Sequence, residues 1–318
     1  MSQRLRVFLG INLYPIRVKN ICSSRSPDVQ TNAKRALSRI RKYRSSNKNG
    51  VIVIEQTIRL AQEIAERVIR RAGKVAKDHF DQITYAEEKD IFGDVVTEID
   101  HEAERIICDE ISISFPDHEI HSEERGHNGQ KSDWLWMIDP LDGTNNFAIG
   151  LPIFSVSITL IYRSEPVLGV IYEPLVDRLF VASRGNGASC NLNPMKVQKK
   201  EQIHKGTIGW IQGHQVQNEE KAVRLRQHLD VRFKRMMRLW APTLQWCMLA
   251  KGDIDGIVLY NSEGDDLYSG ILMAKEAGAI VMDFEGIPFD GMNSEPYLIA
   301  CHPDHREYFL SVVREGMN

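Results

Sequence analysis

Cysteine is scarce in this chain of 318 residues, and no two cysteines are spaced to work together. The five present, Cys22, Cys108, Cys190, Cys247 and Cys301, include no Cys-x-x-Cys pair and make an odd total. That usage argues against a disulfide framework and a thiolate zinc site, and points to a reducing compartment such as the cytoplasm. Long apolar runs are missing too. Charge or proline interrupts each candidate well short of the ~20 residues a membrane span requires, so no membrane partner is expected. Acid is almost absent from one end: residues 1–50 hold twelve Lys and Arg against one acid, Asp28. The whole chain is nevertheless −3 at pH 7, so the remainder is acid-rich. The leading segment also lacks the apolar core and small-residue cleavage site of a secretory signal. Three readings stay open for it: a disordered extension or a translation start placed too far upstream, an organelle transit peptide, or an arm for nucleic acid. Nucleic acid is expected as a partner only through that arm, and an organellar location only through the transit peptide.

What is present describes a globular domain over 51–318. A hydrophobic share of 42% against 26% charged is enough to bury a full core. Ile54, Ile58, Ala61, Ile64, Ala65, Val68, Ile69 and Ala72 recur at helical spacing and predict an amphipathic helix over 51–77. A second helix is expected from about Glu102 to Ile113, ending before Pro116. HEIHSEE, WLWMID, SVSITLIY, VLGVIYEP and RLFVASR then read as strands of a mostly antiparallel sheet built of hairpins. Helices return at 218–229, 243–251 and 266–277, with strands at IDGIVLY, AIVMD and YLIAC and a last helix over about 304–314. The fold class is α/β, with an α+β half over 51–190 and an α/β half over 191–318.

The chemistry starts at residues 137–147, MIDPLDGTNNF, where an apolar strand meets two aspartates three apart. Asp139 and Asp142 bracket Pro140 and Leu141 in an expected turn that holds both carboxylates close, and unpaired they would repel. Hard oxygen donors on a short rigid segment suit Mg²⁺. Gly143 and Thr144 begin a helical turn whose N–H groups face the same space, as an anion site requires. An Asp-Gly turn alone is more often a capped turn. Two further acidic pairs, Glu123-Glu124 at a strand end and Asp265-Asp266 at a helix start, would singly be an exposed edge and an N-cap. Together the four places supply carboxylates for two cations, the set that activates water and steadies a leaving oxygen in phosphoryl transfer.

IDPLDGTNNF resembles the Asp-Pro-(Ile/Leu)-Asp-Gly-Thr motif of the inositol monophosphatase family. DVVTEID at 94–100, SEE at 122–124 and DLYSGILMAKEAGA, which opens on Asp266, resemble three more of its motifs in the right order. The resemblance implies an α/β/α/β/α sandwich of the inositol monophosphatase/fructose-1,6-bisphosphatase type, a homodimer, and two or three Mg²⁺ ions for which Mn²⁺ can substitute. It implies Glu123, Asp139, Asp142, Asp266 and the carbonyl of Leu141 as metal ligands. Glu123 and Thr144 would orient the attacking water, with Asp100 in an outer shell or beside a third ion. Gly143, Thr144 and Asp266 would meet the substrate, and Lys89 takes the place of a family lysine near the site. The activity implied is hydrolysis of a small sugar or polyol phosphate monoester, inositol 1-phosphate-like, by direct attack of metal-activated water. Alternatives are a fructose-1,6-bisphosphatase, a 3′(2′),5′-bisphosphate nucleotidase with Trp240 or Trp246 stacking on the base, or an RNA- or protein-binding module with vestigial catalysis. The chain departs from the family pattern where Asp265 precedes the ligand Asp266 and where Trp240, Ala241 and Pro242 replace small residues under the substrate. An ungapped match puts Leu259 where inositol-specialised members carry a glutamate.

Overall fold

The computed structural model describes residues 50–82, 86–89, 93, 95–262, 264, 267–292 and 297–318. The basic segment up to residue 49, and with it the arm and transit-peptide readings, lies outside the described residues, as do Asp265 and Asp266. The first helix, α1 (Gly50–His79), buries Ala61, Ile64, Ala65, Val68, Ile69, Ala72 and Ala76, the stripe its periodicity predicts. A short antiparallel pair, β1 (Glu87–Glu88) and β2 (Val95–Val96), leads to α2 (Glu98–Ser114). That helix starts four residues before the expected Glu102 because Thr97 caps it. Thr97 Oγ1 accepts the Ile99 N–H at 3.2 Å, and Asp100 Oδ2 accepts the Thr97 N–H at 2.8 Å.

Strands β3 (Glu119–Ser122), β4 (Gly126–His127) and β5 (Trp134–Asp142) follow, then the one-turn helix α3 (Thr144–Ala148). The hairpin strands β6 (Ser155–Tyr162), β7 (Glu165–Glu173), β8 (Arg178–Ser183), β9 (Ala188–Cys190) and β10 (Asn193–Pro194) complete one sheet. Its order is β10-β9-β8-β7-β6-β5-β3-β4, antiparallel throughout except for the parallel β3–β5 pair. The rest of the chain alternates β11 (Thr207–Gln212), α4 (Glu220–Arg232), β12 (Arg235–Met237), α5 (Pro242–Lys251), β13 (Gly256–Tyr260), α6 (Leu267–Glu276), β14 (Ile280–Asp283), β15 (Tyr297–Cys301) and α7 (Arg306–Met317). The second sheet, β12-β11-β13-β15-β14, pairs β11 in parallel with both of its neighbours.

Five layers result. Helices α1 and α2 cover the outer face of the first sheet, α5 and α6 lie between the sheets, and α4 and α7 cover the far face of the second. Alternate residues of β11 and β13 feed two cores. Ile211, Ile257 and Leu259 join Trp246 and Ile271 in the middle layer, while Ile208, Trp210 and Val258 join Leu225, Leu229 and Phe309 outside. Because β11 is apolar on both faces it shows no alternation, and it was not among the strands expected from sequence. The middle helices approach closely: a Cβ on Gly270 would lie 2.3 Å from the Trp246 ring. Each fully buried large side chain of this layer contributes about 1.5–3 kcal/mol through desolvation. Among the described residues the four cysteines are free, and no helix is long and apolar enough to cross a membrane.

Candidate active site

The expected turn at Asp139 is instead part of the strand. Strand β5 continues to Asp142 through a bulge in which Asp139 stands opposite Ser157 and Asp142 opposite Ser155, three steps on one strand against two on the other. Residues three apart on a regular strand face opposite sides, so the surplus residue brings both carboxylates to one side. Pro140 fits there because a bulge does not require its missing N–H. Both aspartates are buried. Asp139 Oδ1 accepts the Leu141 N–H at 2.9 Å. Asp142 Oδ2 accepts the Thr243 N–H at 2.9 Å, the Thr243 hydroxyl, and the Ser155 hydroxyl at 3.2 Å. Burial pushes the Asp142 carboxyl well above its ordinary range, its hydrogen bonds pull it down, and the charge of Glu123 pushes it up again.

Gly143 follows at φ +93°, where a Cβ would sit 2.9 Å from the Ile153 carbonyl, so the chain needs glycine to turn into α3. Thr144 Oγ1 lies 2.9 Å from Asp100 Oδ1 and 2.8 Å from the Leu141 carbonyl, so its single proton can serve either acceptor. Asp100 also accepts the Thr97 hydroxyl at 2.5 Å, and burial raises its carboxyl against these bonds. Asn146 Nδ2 donates to Ile153 O at 2.8 Å and to Leu239 O at 2.6 Å, tying α3 to the segment before α5.

Glu123 stands one residue beyond β3, its N–H still donating to Ile138 O at 3.1 Å. Lys89 Nζ donates to Glu123 Oε1 at 2.6 Å and to Glu124. Burial lowers the lysine pKa, but the two carboxylates more than offset it and keep the ammonium charged. The turn itself is held from α2. Glu104, with no exposed surface, accepts the Ser122 hydroxyl and the N–H groups of Glu124 at 3.1 Å and Arg125 at 2.9 Å, and pairs with the Arg125 guanidinium at 2.9 Å.

These elements enclose one side of a cavity of about 500 Å³. Glu123, Asp139, Leu141, Asp142, Gly143 and Thr144 all line it, while Asp100 stands behind Thr144. The other side comes from the second half of the chain: Gln212 at the end of β11 and His214 beyond it, Arg238 and Trp240 before α5, and Asn261 beyond β13. Two sequence expectations are corrected by this arrangement. Leu259 is packed in the middle core and is not a cavity residue, because β13 directs it inward; Asn261 and Ser262 reach the cavity instead. Trp246 is fully buried against Gly270 and cannot stack on a ligand, whereas Trp240 does line the cavity. His121 also lines the cavity, whereas His118 accepts the Trp136 indole N–H at 3.0 Å inside the fold. Glu104, Ser155, Thr243 and Asn146 were missed. The local signals were slight: Glu104 follows Asp100 by one helical turn, and Ser155 opens a strand.

A divalent cation fits the donor chemistry of this wall. Its donors are carboxylates and a carbonyl, all hard oxygens, and the charge of Glu123 raises both Asp100 and Asp142, the surplus negative charge that a cation would relieve. Among the described residues no three His, Cys, Asp or Glu side chains already form a closed ligand set, and the remaining expected donor, Asp266, lies outside them.

Comparison with known proteins gives concordant matches. The model of the inositol monophosphatase family matches residues 58–317. A Thermotoga maritima protein named fructose-1,6-bisphosphatase/inositol-1-monophosphatase is 34% identical over 220 residues, 69% of this chain and 83% of that protein. A Vibrio cholerae protein named Nus factor SuhB is 34% identical over 260 residues, 80% of this chain and 96% of the other. A solved Thermotoga maritima IMPase superposes with a TM-score of 0.72 at 31% identity, covering 81% of this chain and 97% of its own.

Proposed function

Because the chain belongs to the inositol monophosphatase family, a family of phosphatases, we propose that it hydrolyses a small sugar or polyol phosphate monoester by direct attack of water, with Mg²⁺ as cofactor. The observation that carries the reading is the bulge of β5, which sets Asp139 and Asp142 on one side beside Glu123 and Thr144 in a single cavity. Glu123, Asp139, Asp142, the carbonyl of Leu141 and Asp266 would hold Mg²⁺. When bound, the ion supplies charge stabilisation for the phosphoryl oxygens and lowers the pKa of water.

The protein groups position the rest. Thr144 donates its proton to Asp100 or to the Leu141 carbonyl, which leaves its oxygen lone pairs to accept a hydrogen from the attacking water. Glu123 is the second acceptor for that water, and Lys89 Nζ holds its carboxylate at 2.6 Å. The N–H groups of Gly143 and Thr144, at the start of α3, would meet phosphate oxygens. Attack is in line and forms no covalent intermediate, so no cysteine or histidine nucleophile is required.

The test is phosphate release from a panel of esters, including inositol 1-phosphate, glycerol 2-phosphate and an adenosine bisphosphate, with Mg²⁺ and with EDTA. Release from small polyol or sugar esters that stops in EDTA is expected. Inertness towards every ester, or release that persists in EDTA, would overturn the reading.

A further inference from the structure

Helix α5 begins without a cap of its own. Ala241 stands at its N-cap with no side-chain oxygen to offer, and Pro242 follows with no N–H, so Thr243 carries the first N–H group that needs an acceptor. That acceptor comes from another element. Asp142, the last residue of β5, takes the Thr243 N–H on Oδ2 at 2.9 Å and the Thr243 hydroxyl on the same oxygen. One buried residue therefore holds the carboxylate by two donors from a single helical turn, which leaves it little room to rotate.

The hydroxyl protons point one way. Thr243 has a single hydroxyl proton and gives it to Asp142, so Ser155, 2.5 Å from Thr243 Oγ1 and 3.2 Å from Asp142 Oδ2, is a donor to this pair and not an acceptor from it. Three donors thus converge on Oδ2, and among the described residues none is directed to Oδ1. An oxygen crowded by three donors is a poor ligand, which leaves Oδ1 for a cation in the cavity that Asp142 lines. Ser155 is placed by register. It stands opposite Asp142 across the β5–β6 ladder, and Ser157, opposite Asp139, makes the equivalent link to α6 through Ser269 Oγ at 2.8 Å. Strand β6 thereby ties the first turns of both middle helices to the strand that carries the aspartates.

We infer that Thr243 is a positioning residue for the reaction: its N–H and hydroxyl, backed by Ser155, occupy one oxygen of Asp142 and turn the other towards the cavity, where it can ligate a divalent cation. The inference rests on the metal-dependent phosphatase reading and adds to it a residue outside the expected ligand set. Thr243 has no exposed surface and does not line the cavity, so it acts only through Asp142.

The experiment uses the full chain and reads Mn²⁺ affinity from the paramagnetic resonance of the free ion, without any ester, alongside steady-state kinetics with Mg²⁺. Thr243→Val keeps the branched shape and the N–H and removes only the hydroxyl. It should weaken Mn²⁺ binding by about tenfold and lower kcat by about tenfold at saturating Mg²⁺, with KM for the ester within about threefold of the parent. Thr243→Ser, which restores the hydroxyl, should bring Mn²⁺ affinity and kcat back to within about threefold of the parent. Val312→Ala, a truncation in the outer core on α7, should lower the melting temperature and leave Mn²⁺ affinity as it is, so that loss of stability alone is told apart from loss of positioning. A Thr243→Val protein that melts earlier but binds Mn²⁺ as the parent does would overturn the inference, as would a Thr243→Ser protein no better than Thr243→Val. Should Thr243→Val not fold, Ser155→Ala decides, because it leaves α5 untouched: Mn²⁺ binding weakened about threefold supports the network, and unchanged binding overturns it. If Mn²⁺ affinity follows this order while no ester is turned over, the positioning role stands and only the phosphatase reading falls. A parent protein that binds no Mn²⁺ would sink both.

Discussion

The two walls of the cavity are held in opposite ways. On the acidic wall the carboxylates lean on buried partners: Asp142 on Thr243 and Ser155, Asp100 on Thr97 and Thr144, and the Glu123 turn on Glu104. On the basic wall Arg238, His214 and Trp240 sit in connections between elements, and Arg238 is exposed. Groups that must meet a transition state within a fraction of an ångström need rigid support, whereas groups that choose among alcohols can be carried on loops whose exchange leaves the sheet intact. On the proposed reading, the acidic wall is the one that serves the reaction.

The contrast can be broken hardest at Asp139. Replacing it with Asn leaves volume and burial nearly unchanged but removes one of the expected shared ligands. Activity on a small ester should fall by about a hundredfold or more, with a melting temperature within a few degrees of the parent. Steady-state kinetics at saturating Mg²⁺ together with a thermal melt checks this. Near-normal turnover would show that the acidic wall is not the reacting one.

Glu104→Gln probes whether support alone matters. Glu104 does not line the cavity, yet its carboxylate gathers a hydroxyl, two N–H groups and a guanidinium at the turn carrying Glu123. Loss of its charge should cost roughly 1–3 kcal/mol of stability and about tenfold in kcat. It should also weaken Mn²⁺ binding, read by the paramagnetic resonance of the free ion without any substrate. A variant that melts earlier but binds Mn²⁺ and turns over normally would reduce Glu104 to a structural acid.

The smallest effect is expected at Glu124. Both glutamates bond Lys89, but only Glu123 lines the cavity. Glu124→Gln should therefore lower kcat/KM by only a few-fold where Glu123→Gln lowers it by about a hundredfold. Equal losses would mean that the pair works as one unit.

Elements with a local signature were legible in the sequence. Strand β6 spans the expected SVSITLIY, α1 follows its apolar stripe, and the carboxylates around residues 123 and 139–144 do share a cavity. The remainder depends on distant residues. Thr243 reaches Asp142 from 101 positions away, and no spacing rule in one chain announces such a bond. Glu104 resembles one more acid on an amphipathic helix until the turn after β3 is seen to lie over it. The early start of α2 is also legible, since Thr97 and Asp100 have the spacing of a capping box. Leu259 was misplaced because an ungapped match ignores which face of β13 each residue occupies.

The bulge in β5 also ties the pairing of the two aspartates to the register of the strand. Asp139 and Asp142 stand three apart yet share a face because one residue between them is surplus against β6, so a change that straightened the bulge at constant chain length would carry every side chain beyond it to the other face. Such a strand could keep its apolar composition and much of its hydrogen-bonded ladder while turning one aspartate away from the cavity.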